Sequence, residues 1–106
     1  VLAALRSALA RCPTGIYALW YPINPRRALH PFLRRAALLP AKQALCVELL
    51  VRRDDSPLRM NGSGMLILNP PWQFDVDVAS ALPALRTALG DAGASHRIEW
   101  LRQEAA

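Results

Sequence analysis

Apolar positions recur along the chain with two different periods, and the switches between them predict seven elements. Val1, Leu2, Leu5, Ala8 and Leu9 fall on one face of a helix over residues 1–10. That face is in place from the first residue with no capping side chain before it, so the chain reads as cut from something longer. Pro13-Thr14-Gly15 stops the helix, and residues 16–23 follow as the apolar, aromatic run of a buried strand. Asn24-Pro25 offers an N-cap and a first helical residue. The next helix runs to about residue 39, with Leu29, Phe32, Leu33, Ala36 and Ala37 on one side. Pro31 either kinks it or marks its true start.

Residues 43–53 read as a second strand, with Leu45, Val47, Leu49 and Val51 on one face and Cys46, Glu48 and Leu50 on the other. Pro57 and Asn61-Gly62 mark a polar loop over residues 54–63. Residues 64–68 form a third strand, ended by Asn69-Pro70-Pro71. A ten-residue connection without helical pattern fits an antiparallel pair. Phe74, Val78, Ala81, Leu82, Leu85 and Leu89 mark a helix stopped by Gly90. A last short strand covers residues 96–101, with Ile98 and Trp100 on one face. This order predicts an α/β sheet covered by helices, with an antiparallel hairpin at one sheet edge. It is the pattern of the second half of a doubly wound domain.

Composition narrows the class. At 53% hydrophobic and 20% charged, the 106 residues are too apolar for a disordered tail. Two Cys cannot make a disulfide scaffold, and no Cys/His cluster has zinc spacing, so no metal is expected. The uncharged runs are too short and too broken by Pro to span a bilayer, and Arg6 interrupts the apolar start that a signal peptide would need. A single soluble, cytoplasmic domain over residues 1–106 is the expectation. The formal charge is +5, and Lys42 is the only lysine. An Arg-rich coding bias explains that, and so does a surface that meets phosphate, because Arg presents a planar fork of donors to anionic oxygens.

The sharpest chemical signal is Asn69-Pro70-Pro71-Trp72, directly after a strand. In amino-group methyltransferases such a strand end lets an amide or acidic oxygen and a proline carbonyl orient the exocyclic amine, with the aromatic ring stacked on the base. Two prolines also end any strand, and Trp72 with Phe74 can cover a core. A cofactor site would need a Gly-rich turn after a first strand. Gly15, Gly62-Ser63-Gly64, Gly90 and Gly93 do not form one. Glu48 inside an apolar strand calls for a partner, most simply an Arg across the sheet. Tyr17, Trp20 and Tyr21 read as packing in a central strand, and Cys12 and Cys46 as buried or inert thiols. His30-Pro31 marks a helix boundary. The pairs Arg26-Arg27, Arg34-Arg35 and Arg52-Arg53 read as a solvated basic rim, of which Arg26, Arg27, Arg34 and Arg35 are the candidates to meet phosphate.

The stretches Thr14-Gly15-Ile16-Tyr17-Ala18-Leu19-Trp20-Tyr21-Pro22-Ile23, Glu48-Leu49-Leu50-Val51, Gly62 through Trp72, and Glu99-Trp100-Leu101 with Glu104 occur in this order. Together they resemble the C-terminal part of the bacterial 23S ribosomal RNA adenine-N(6) methyltransferases, the large-subunit methyltransferase J family. The resemblance implies a class I, Rossmann-like fold that uses S-adenosylmethionine, without a metal, to methylate an adenine amine of 23S ribosomal RNA. It also implies that the catalytic Asp-Pro-Pro-Tyr lies before this chain, and that Asn69, Pro70, Pro71 and Trp72 match a later occurrence. No catalytic or cofactor-binding residue is then expected here. The chain alone is expected to be inactive and to self-associate through an exposed sheet edge. The rival reading is a free-standing basic RNA-binding or subunit-interface module.

Overall fold

The computed structural model describes residues 1–23, 25–53 and 60–103. Four strands, β1 (Tyr17–Ile23), β2 (Ala44–Leu50), β3 (Gly62–Leu68) and β4 (Ser95–Arg102), form one sheet in the order β1-β3-β2-β4. Every ladder in it is antiparallel. The helices are α1 (Leu2–Arg11), α2 (His30–Ala36), preceded by a 3₁₀ turn over Arg26–Leu29, and α3 (Phe74–Leu89).

Because β3 opposes both of its neighbours, β1 and β2 run in the same direction and are joined by a helical crossover. The crossover leaves a gap one strand wide, which β3 fills on its return from β2. The hairpin is therefore the centre of the sheet and not its edge, correcting the sequence expectation. Local pattern reveals that β2 pairs with β3, but not that β1 and β4 lie outside them. The same order leaves β1, with Tyr17, Trp20 and Tyr21, outermost among the described strands, where the sequence reading has it central. Tyr21 is buried, whereas Trp20 is 54% exposed.

Alternation assigns the faces. Tyr21, Ile23, Ala44, Cys46, Leu50, Leu66 and Leu68 share one face and pack with Leu9 of α1 and with Leu33 and Ala36 of α2. Each fully buried Leu or Ile there contributes about 1.5–3 kcal/mol relative to exposure. Leu45 and Ile67 alternate to the opposite face, where α3 packs on β2 and β4 and buries Leu82. Ala18, Trp20 and Pro22 of β1 stay exposed on that side.

The second helix is shorter than its apolar spacing predicts. Pro25 precedes it in an extended conformation (φ −76°, ψ 169°) instead of opening it, and the first four residues are 3₁₀. Pro31 sits in the first turn of α2, where its missing N–H costs nothing, so it marks a start and not a kink. Asn24 lies outside the described residues. Gly90 ends α3 as expected, its N–H bonded to the Arg86 carbonyl.

Candidate functional site

Glu48 lies on the α1/α2 face with no solvent exposure. The sequence pairs it with an Arg across the sheet. Arg97 of β4 is indeed its register partner, but the ion pair forms elsewhere. Arg26, from the 3₁₀ turn, donates through Nε to Glu48 Oε1 at 2.6 Å, and the Tyr21 hydroxyl donates to Oε2 at 2.7 Å. Arg97 instead donates to Glu99 Oε2 at 2.7 Å, which also lies 3.5 Å from Arg26 Nη2. Both carboxylate oxygens of Glu48 thus have donors, the condition for tolerating a buried charge.

This cluster depends on a missing side chain. Gly64 stands in register opposite both Tyr21 and Glu48, between their strands. A Cβ there would fall 2.6 Å from the Tyr21 hydroxyl oxygen. Without one, the ring crosses over β3 to reach Glu48. Burial, with the Glu48 bond second, raises the Tyr21 pKa and keeps its proton in place. For Arg26 burial acts to lower the pKa, but the hydrogen bond and charge of Glu48, with Glu99, outweigh it and the net shift is upward. Burial above all pushes the neighbouring Cys46 thiol up to about 11.

Beside the cluster, a groove of about 350 Å³ opens between α2 and β4. Arg26, Arg34, Arg97, Glu99 and His30 line it over an aliphatic floor that includes Leu33. Of the four RNA-facing candidates, Arg26 is held by carboxylates with its side chain 16% exposed, while Arg27, Arg34 and Arg35 are exposed. Arg97 is a groove residue that the sequence reading missed. A lone Arg within a strand carries no signal of its own, and only the pairing of β4 with β2 brings it to α2.

Asn69-Pro70-Pro71-Trp72 forms a tight corner at the other end of β3. Asn69 adopts a left-handed conformation (φ 55°), which Asn tolerates better than most residues. Its amide Nδ2 donates to the Pro13 carbonyl at 3.0 Å and the Gly15 carbonyl at 2.9 Å. The side chain fastens the α1–β1 loop to the end of β3. The Pro71 carbonyl accepts from the Phe74 N–H, and Trp72 projects into solvent at 87% exposure. Trp72 therefore does not cover the core.

Cys46 is buried, as read, but Cys12 is exposed. Among the described residues no group of three His, Cys, Asp or Glu could hold a metal ion, and no helix is long and apolar enough to cross a membrane. The glycines leave no open cradle for a nucleotide cofactor. Gly62 packs on the Leu49–Leu50 backbone, Gly64 on the Tyr21 ring, Gly15 on Tyr17, Gly90 on Ala94, and Gly93 on the Arg53 side chain. Among the described residues, no glycine is left free to form the turn that would cradle S-adenosylmethionine.

Comparison with known proteins places this fold in a family. The model of the family "Ribosomal RNA large subunit methyltransferase D, RlmJ" matches residues 1–102. The chain is 32% identical over 105 residues to ribosomal RNA large subunit methyltransferase J of Escherichia coli strain K12, covering 98% of the chain and 38% of that protein. It is 31% identical to the protein of the same name from Haemophilus influenzae, covering 37% of it. A crystal structure of a Legionella pneumophila protein of the DUF519 family superposes with a TM-score of 0.78 at 27% identity, over 92% of this chain and 36% of that one. The chain spans well under half the length of the relatives it matches. It belongs to the ribosomal RNA large subunit methyltransferase J family, as a portion of the length its members have.

Proposed function

We propose that this chain is the C-terminal portion of the catalytic domain of a methyltransferase that transfers a methyl group from S-adenosylmethionine to an adenine N6 amine of 23S ribosomal RNA in the cytoplasm. The observation that carries the reading is the pairing of a family match along the whole chain with coverage of only 38% of a relative. The chemistry that the family name requires is then supplied by the other portion. S-adenosylmethionine would bring an electrophilic methyl group to that portion, and no residue of this chain is assigned to hold it.

Within the whole enzyme this portion serves as scaffold. Among the described residues β1 has one ladder partner, β3, so its other edge is open for a Rossmann-like sheet to continue. Exposed Trp20 beside that edge supplies apolar surface for the same junction. When the preceding portion is absent, self-association through this edge is expected. Asn69 serves as a latch for the loop that leads into β1, with its amide protons committed to two carbonyls.

The test is methyl transfer by the full-length parent compared with this chain alone, on unmodified 23S ribosomal RNA. Nuclease digestion and mass spectrometry should find N6-methyladenosine only with the full-length protein. A different methylated nucleoside, or transfer by the chain alone, would overturn the proposal.

A further inference from the structure

We propose that the groove between α2 and β4 binds a phosphodiester of the RNA backbone, with Arg34 as its principal anchor and Arg97 and Arg26 as pre-positioned donors. The inference deepens the reading of the chain as part of an RNA-modifying enzyme and rests on it.

Charge and partnering carry the argument. Three guanidinium groups line one concavity. Cations brought that close repel unless anions lie between them. Glu48 and Glu99 answer two of the three charges through their pairs with Arg26 and Arg97. Arg34 has no protein partner among the described residues, and its helix holds it at the groove wall. One positive charge is therefore left over in the groove, the complement of one singly charged phosphodiester. The two carboxylates do more than neutralise. By bonding Arg26 through Nε and Arg97 through one Nη2, they fix the planes of both guanidinium groups before any ligand arrives, which lowers the ordering cost of binding.

The lining also selects the part of RNA that fits. Among the described residues no Phe, Tyr or Trp borders the groove, whose one ring is the His30 imidazole, and Leu33, Ala37 and Leu101 form its apolar surface. A base would find only that small ring, and no broad aromatic platform, to stack on. Sugar and phosphate would find aliphatic contact and forked N–H donors. Because phosphate contacts fix register without reading sequence, the groove would hold the RNA in place while the base is selected elsewhere.

The experiment measures binding of a fluorescein-labelled RNA hairpin to this chain by anisotropy across a salt series. Arg34→Gln should weaken binding about five- to tenfold and flatten the dependence of log K on log salt by about 0.7–0.9, the loss of one phosphate contact. Arg34→Lys should recover part of the affinity. Arg86→Gln, on α3 at the opposite sheet face, should leave it unchanged. Arg34 is exposed and has no partner among the described residues, so the variant should melt with the parent. Unchanged binding by Arg34→Gln, an equal loss in Arg86→Gln, or equally tight binding of polyglutamate would overturn the proposal. The methyltransferase reading has its own readout, N6-methyladenosine formed by the full-length parent, so failure of one is distinguishable from failure of the other.

Discussion

Glu48 and Asn69 are both polar residues where an apolar strand would not call for them, and their surroundings differ in kind. Glu48 is a fully buried charge in a central strand, answered by Tyr21 and Arg26 and made accessible to them by Gly64. Asn69 is a half-exposed amide at a strand end, answered by two backbone carbonyls of one loop. The first ties a crossover turn and two strands together through charge. The second ties a loop to a corner through neutral hydrogen bonds. A buried charge depends on each of its partners, because losing one strands the others away from water, whereas a neutral latch loses only its own bonds.

Glu48→Ala tests the larger side of this contrast. It should cost about 3–5 kcal/mol in chemical denaturation, because Arg26 and the Tyr21 hydroxyl lose their buried acceptor. Replacing Glu48 and Arg26 by Leu together with Tyr21→Phe should cost less than Glu48→Ala alone. A greater loss in the triple variant would mean that the cluster stabilises by more than mutual satisfaction. Gly64→Ala should cost about 1–3 kcal/mol through the clash with the Tyr21 ring. Most of that cost should vanish in a Tyr21→Ala background, a coupling that a double-mutant cycle reads directly.

Asn69→Ala should cost about 1–2 kcal/mol, from the lost hydrogen bonds and the left-handed backbone. Asn69→Gly keeps the backbone conformation and should cost less than Ala, which separates the two contributions. A smaller effect is expected from alkali. The Cys46 thiol holds its proton more tightly folded than unfolded, so its contribution is complete below its ordinary pKa of 9.0 and is lost as pH rises through about 11. Tyr21, raised from 10.0, acts in the same direction above that pH. The melting temperature should decline from about pH 9 upward, and less steeply in Cys46→Ala.

Much of this fold was legible in the pattern of residues, for identifiable reasons. The strands around Tyr21, Cys46 and Leu66 and the helix ended by Gly90 follow from periods of two and 3.6, which burial on one face enforces. Glu48 was legible as a residue in need of a partner, but the identity of that partner was not. Arg26 approaches from a 3₁₀ turn, and the opposite Arg97 is occupied by Glu99, which only the three-dimensional pairing determines. The position of the hairpin was hidden for the same reason, since adjacency in the sheet depends on where the crossover lands. Asn69 carried a motif that reads as chemistry, while its left-handed backbone and its bonds to Pro13 and Gly15 depend on a loop more than fifty residues earlier. The groove was half visible, through Arg26 and Arg34 but not Arg97.

The central claim is that the chain supplies scaffold and RNA contact while cofactor binding resides in the rest of the parent. Isothermal titration of the purified chain with S-adenosylmethionine tests it most directly. The account predicts no saturable heat, in contrast to the full-length parent under the same conditions. Stoichiometric micromolar binding by the chain itself would contradict it.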